Sequence, residues 1–145
     1  MTYKLAVIGY GNMGSWHCKN VKERISGLEV VAVYDIDEKR RLIAKEDGFI
    51  VYDTENEFFK CEADLVLVAT PNNFHKDHCI KAMENGKNVV CEKPACLNLT
   101  ELEEVIAVSN KTGKIYTVHQ NRRFDTDYAI IKKIVKKKLL GNHFY

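Results

Sequence analysis

The run Gly9-Tyr10-Gly11-Asn12-Met13-Gly14 constrains what this chain can fold into more than any other feature. It follows a short β-rich apolar run, Tyr3 to Gly9, and opens a helical pattern over Met13 to Arg24. Asp35 ends the next apolar run, 21 residues beyond Gly14. By itself G-x-G-x-x-G matches many loops, including plain strand–helix turns. Between a strand and a helix, with an acid at that interval, it is the full dinucleotide-binding fingerprint. Gly9 permits the tight turn, Gly11 leaves room for a pyrophosphate, and Gly14 lets helix and strand approach closely. Backbone N–H groups over residues 9–14, aided by the helix dipole, would hold the phosphates. Asp35 would accept hydrogen bonds from the adenosine ribose and repel a 2′-phosphate, which favours NAD over NADP. Lys39, Arg40 and Arg41 lie close enough to soften that preference, although a solvated helix face explains them equally well. A methyltransferase-type glycine loop would carry an acid in the first strand, and Ala6-Val7-Ile8 has none.

The rest of the chain continues the alternation. Leu28 to Tyr34, Asp64 to Ala69, Lys87 to Cys91 and Lys114 to His119 read as strands, with Phe49 to Tyr52 a weaker sixth candidate. Near-continuous apolar strands are expected where both faces of a sheet are covered. Between them lie helical patterns over Glu38 to Glu46, with Leu42 and Ile43 inward, and over Phe74 to Asn85, with Cys79, Ile80 and Met83 on one face. Thr100-Glu101-Leu102-Glu103 reads as a capping box, and Leu102, Val105 and Ile106 form the apolar face behind it. Gly86 and Gly113 sit where C-terminal caps belong. The pattern predicts an α/β fold, a doubly wound and mostly parallel sheet of about six strands with helices on both faces. Asp127 to Leu140 reads as a further helix with Tyr128, Ile131, Ile134 and Val135 on one side, and His143-Phe144-Tyr145 resembles the start of another strand. The expected division is a dinucleotide-binding domain over residues 1–121, then a connecting helix and the truncated start of a missing domain over 122–145.

Composition removes several classes. At 145 residues, 46% hydrophobic and 29% charged, the chain fits one ordinary globular core. A net charge of +2 is weak for a nucleic-acid binder. The longest apolar run, Leu65 to Ala69, is far short of the roughly 20 residues that span a bilayer. The N-terminus lacks the features of a signal peptide, and the five cysteines (18, 61, 79, 91, 96) include no Cys-x-x-Cys pair. A cytoplasmic protein with reduced thiols is the expectation.

Three further stretches fall at the expected strand ends where such sheets bind ligands. They are Ala69-Thr70-Pro71-Asn72-Asn73-Phe74-His75, Cys91-Glu92-Lys93-Pro94 and Asn121-Arg122-Arg123-Phe124. Together with Gly9 to Gly14, this ordered set resembles the N-terminal half of the glucose–fructose oxidoreductase, inositol dehydrogenase and rhizopine-catabolism (Gfo/Idh/MocA) family, over residues 3 to 145. The resemblance implies a Rossmann domain binding NAD or NADP, followed in the family by a second α/β domain that this chain lacks. It implies that Ala69, Thr70, Pro71, Asn72 and His75 line or support the cofactor cleft. Glu92 and Lys93 would reach the nicotinamide and substrate region, Pro94 would shape that turn, with a cis peptide bond as one option, and Arg122 would sit nearby. Lys93 is the expected catalytic residue: near a cationic nicotinamide it could orient a hydroxyl or help move its proton. The implied activity is hydride transfer between nicotinamide C4 and a sugar, cyclitol or related polyol. Because the family's second domain supplies the substrate pocket, the alternative is an NAD-binding module with no catalysis of its own.

Other constellations have plainer readings. His75, His78, Cys79, Cys91 and Cys96 match no standard zinc spacing, so no metal site is expected, and Cys79 and Cys91 read as core thiols. Lys132, Lys133, Lys136, Lys137 and Lys138 complement a helix C-terminus and lack the interleaved aromatics of a nucleic-acid surface. Trp16 reads as packing. The apolar side of the last helix is a candidate surface for homo-oligomer formation.

Overall fold

The computed structural model describes residues 1–141. Five strands alternate with six helices: β1 (Tyr3–Ile8), α1 (Asn12–Arg24), β2 (Leu28–Tyr34), α2 (Glu38–Glu46), α3 (Glu55–Phe59), β3 (Leu65–Val68), α4 (His75–Glu84), β4 (Asn88–Cys91), α5 (Leu99–Thr112), β5 (Tyr116–Val118) and α6 (Thr126–Lys136). The strands form one sheet in the order β2-β1-β3-β4-β5, every pair parallel. The chain winds outward from β1 to β2, then crosses to the opposite side at β3. Strand order therefore reverses between β1 and β3, and the crevice outside their carboxyl ends is where a doubly wound sheet binds its ligand.

The sheet is held from both faces because side chains alternate along each strand. Leu5 and Val7 of β1 join Cys18, Val21, Ala44 and Phe49 beneath α1 and α2. Ala6 and Ile8 join Phe58, Phe59, Cys79, Ala82, Met83 and Val105 beneath α3, α4 and α5. Each face thus has its own core, and both seal against the central strand. Among the described residues, no helix is long and apolar enough to cross a membrane.

Several expectations need correction. The sheet has five strands rather than six, because Phe49 to Tyr52 contributes only the single bridge Val33–Val51. Two hydrogen bonds hold it, from Val33 N to Ile50 O at 2.8 Å and from Tyr52 N to Val33 O at 3.0 Å. Phe49 plugs a core, and Thr54 already caps α3, so too little chain remains for a strand. The α3 helix is an element the sequence pattern does not anticipate. In α2 the buried residue is Ala44, while Leu42 and Ile43 are exposed. The cap of α5 lies two residues earlier than the Thr100 box: Asn98 Oδ1 accepts from Glu101 N at 2.9 Å, and Glu101 Oε2 accepts from Leu97 N at 3.0 Å. Val105 is buried beneath α5, but Ile106 faces solvent. The α6 helix ends at Lys136 because Lys138 turns left-handed at φ 52°. Its Tyr128, Ile131 and Val135 are exposed. Trp16 is 54% exposed, so it does not serve as packing. The expected strand start at 143–145 lies outside the described residues.

Candidate functional site

The carboxyl edge of the sheet opens into a cleft of about 620 Å³ at the strand-order reversal. Its floor is the turn after β1. Gly9 takes φ +92°, and a Cβ there would meet the Ala69 carbonyl oxygen at 2.6 Å. At Gly14 a Cβ would fall inside the Gly9 carbonyl oxygen. Backbone thus touches backbone at both positions, and only glycine permits the approach. Gly11 is different: nothing lies within 4 Å of where its Cβ would be, and it borders the cleft with Asn12 and Met13. The α1 N-terminus has neither a side-chain cap nor an acid in its first turn. Its unpaired N–H groups and dipole are therefore available to an anion.

Asp35, one residue past β2, lines the far side. Its Oδ2 accepts from Tyr10 N at 2.6 Å and its Oδ1 from Asp37 N at 2.9 Å. Those bonds fix the carboxylate and leave each oxygen a further lone pair for a ribose hydroxyl. Of the three nearby cations, Arg41 is committed: its guanidinium donates to the carbonyls of Asp35 and Ile36 at 2.8 and 3.0 Å. Arg40 lines the cleft. The open cradle at Gly11, the uncapped helix and the anchored acid fit the diphosphate and ribose of a dinucleotide.

Among the expected site residues, Gly9, Gly11, Asn12, Met13, Asp35, Ala69, Thr70 and Pro71 meet in this cleft. Tyr10 contributes its backbone, while its ring is buried against Phe49 and its hydroxyl donates to Asp47 Oδ2 at 2.8 Å. His75 is fully buried and works behind the cleft wall. Its Nδ1 faces Pro94 O at 2.8 Å and its Nε2 faces Thr70 O at 2.9 Å, tying the turn after β3 to the turn after β4. Both nitrogens can donate only in the imidazolium form. Burial opposes that charge, but the Cys91 sulfur and the two carbonyls outweigh it and carry the His75 pKa up to about 9. Cys91, hydrogen-bonded to Cys79 and beside His75, is correspondingly lowered. Asn72 is exposed on the short 3₁₀ turn Asn72–Phe74, outside the cleft lining. Arg122 is also outside it, paired with Asp125 at 2.7 Å.

The β4 and β5 ends carry a second arrangement. Glu92 is buried, and its Oε1 meets His17 Nε2 at 2.7 Å and His119 Nδ1 at 3.0 Å. Its Oε2 accepts from Lys93 N at 3.2 Å. Burial resists ionisation of this carboxyl, but the hydrogen bonds from His17, His119 and the Lys93 amide hold it below the usual range. Lys93 is exposed, and its bond to Pro94 is cis. Sequence reading missed His17 and His119, which come from α1 and the end of β5. It also missed Glu55 and His78 in the cleft lining, where Phe74 stacks on His78 at 5.8 Å. Among the described residues, the potential metal-ligand atoms that converge within 4.8 Å are those of His17, Glu92 and His119, not the His75–Cys96 set.

Residues 3–120 match the model of the Gfo/Idh/MocA oxidoreductase family, NAD-binding Rossmann fold. An inositol 2-dehydrogenase of Arthrobacter sp. is 33% identical over 97% of this chain and 43% of its own length. A crystal structure of an NAD-binding protein from Listeria innocua superposes with a TM-score of 0.91 at 39% identity, covering 98% of this chain and 42% of that one. The scyllo-inositol dehydrogenase of Lactobacillus casei, solved with NAD(H) and scyllo-inositol bound, gives a TM-score of 0.86 at 25% identity, covering 98% of this chain and 43% of that one. The chain spans less than half the length of these relatives. It belongs to the Gfo/Idh/MocA oxidoreductase family and forms that family's NAD-binding Rossmann domain.

Proposed function

We propose that this chain is the cofactor-holding part of an NAD-dependent dehydrogenase acting on a cyclitol or related polyol. The observation that carries the reading is the single sheet edge on which the glycine turn, the anchored Asp35 and Lys93 all lie. Bound NAD would supply the hydride acceptor at nicotinamide C4. The α1 N-terminus and Gly11 would hold the diphosphate, and Asp35 the adenosine ribose. The Asp35 carboxylate would disfavour a 2′-phosphate, which makes NADP the poorer ligand even with Arg40 nearby. Lys93 Nζ would orient the substrate hydroxyl or take part in moving its proton. The names of the inositol dehydrogenases it resembles support the substrate class. Residues 1–121 would form the cofactor domain and 122–145 the connection to a further domain, in keeping with the exposed apolar residues on α6.

The test is turnover of myo- and scyllo-inositol with NAD by the intact gene product. Lys93→Met should lower turnover by about 10²- to 10⁴-fold, the usual range for a lost acid–base group, while NAD affinity stays within about twofold. Asp35→Ala is the control: it should weaken NAD binding by about 10- to 100-fold through loss of a charged acceptor. Unchanged turnover in Lys93→Met would remove Lys93 from the chemistry.

A further inference from the structure

The group formed by His17, Glu92 and His119 joins three elements distant in sequence: α1, the residue after β4, and the residue after β5. Its geometry decides between a metal site and a hydrogen-bonded clamp. Zinc with bonds of about 2.0–2.1 Å would hold tetrahedral ligand atoms about 3.3–3.4 Å apart. Here the nitrogen–oxygen separations are 2.7 and 3.0 Å, and both converge on the single oxygen Oε1. Those are hydrogen-bond lengths. The rings meet edge to face at 4.9 Å and 74°, so each braces the other.

An ionised carboxylate only accepts, so both imidazoles must donate to it. His17 then carries its proton on Nε2 and His119 on Nδ1. The second oxygen, Oε2, is thereby turned to the backbone N–H of Lys93. The strand ends are anchored as well: Glu92 N donates to Val68 O at 2.9 Å, and His119 N donates to Cys91 O at 2.8 Å. Two histidines, one buried carboxylate and the Lys93 amide form a continuous chain of hydrogen bonds ending at an exposed side chain. Among the described residues, that side chain has no ion-pair partner of its own.

We infer that His17 and His119 are positioning residues for Lys93, acting through Glu92, so that the lysine is set by a clamp reaching across the sheet rather than by its own contacts. This rests on the role proposed above for Lys93. Displacement of a reacting group by about 1 Å can cost roughly 10²-fold, so a clamp on its backbone is worth a comparable factor. The glutamate's two oxygens divide the work, one held by the rings and one holding the lysine.

The experiment has a part that needs no substrate. Glutamate-carbonyl and lysine-amide dual isotope labelling of the intact gene product isolates Glu-Lys pairs, of which this chain has two, Glu38-Lys39 and Glu92-Lys93. His119→Leu should shift the Lys93 amide resonance and speed its hydrogen exchange at least tenfold, leaving Lys39 unmoved. His119→Asn, which keeps a donor near the Nδ1 position, should restore both. Histidine labelling should show the Nδ1–H tautomer at His119. In turnover, His17→Leu and His119→Leu should each lower kcat by about 10- to 100-fold with KM within about twofold. A Lys93 amide indifferent to His119→Leu, or an Nε2–H tautomer at His119, overturns the inference. So does a kcat unchanged in both leucine variants when Lys93→Met abolishes turnover. Unchanged turnover in Lys93→Met, with the amide response present, would instead remove the proposed function and leave the clamp standing.

Discussion

The two ends of the sheet's carboxyl edge are built from different materials. At β1, β2 and β3 the cleft is made of backbone: a glycine turn pressed against the Ala69 carbonyl, free helix amides, and an aspartate fixed by two main-chain N–H groups. At β4 and β5 the work passes to side chains, with His17 and His119 closing on Glu92 behind Lys93. The backbone end depends on close approach at Gly9 and Gly14, where a side chain would meet backbone. The side-chain end depends on which atoms donate and accept. In the proposed function, the diphosphate and adenosine ribose of NAD would meet the rigid end, and the substrate would meet the side-chain end.

Glycine substitutions should separate shape from binding within the rigid end, and they carry the largest expected effect. Gly14→Ala forces a methyl into the Gly9 carbonyl, where only backbone could yield. Overpacking usually costs about 1–3 kcal/mol, and we expect the upper end of that range or more. Gly11→Ala places its methyl in open space, so the fold should hold within about 0.5 kcal/mol while NAD affinity falls at least tenfold. Urea unfolding and calorimetric titration read the two effects. A Gly14→Ala protein as stable as the parent would break the contrast between the two ends.

His75 joins the ends, and its expected effect is intermediate and pH-dependent. Its folded-state pKa of about 9 lies above the ordinary value of 6.5, so the native state binds the proton more tightly than the unfolded chain does. The stability this provides is complete below about pH 6.5 and drains away as pH rises through 9. Denaturation midpoints at pH 6 and pH 9.5 should differ more in the parent than in His75→Gln; equal differences would show that the ring is not the source. The smallest effect belongs to Trp16. It is half exposed and touches His17 edge-on at 5.0 Å, so Trp16→Ser should change stability by less than about 0.5 kcal/mol. A larger loss would mean that the clamp depends on that ring.

The rigid end was readable from the sequence because its requirements are local: three glycines at fixed offsets and an acid closing the next strand. The helices from Glu38 and His75 were readable for the same reason, as short-range periodicity. The clamp was not, since Glu92 lies 75 residues from His17 and 27 from His119, and nothing in either histidine's neighbourhood marks it. The α5 cap shows a milder form of the problem. Asn98 and Thr100 each stand three residues before a glutamate, so the local pattern fits twice. Packing selects Asn98, whose partner Glu101 also takes the Leu97 amide. The sixth strand failed because alternation over Phe49 to Tyr52 could not reveal that Phe49 was needed as a plug.

Tyr10 sits between the first two glycines of the turn, yet its side chain runs away from the cleft to Phe49 and to the Asp47 carboxylate, which Lys19 also holds at 2.9 Å. The glycine loop is thus bolted from behind to the far end of α2. Transplanting the six-residue motif into another α/β scaffold would carry the ligand-facing surface but leave its fastening behind. A graft that keeps Tyr10 without Phe49 and Asp47 would strand a phenol among apolar side chains. The transferable unit is the loop together with the layer beneath it.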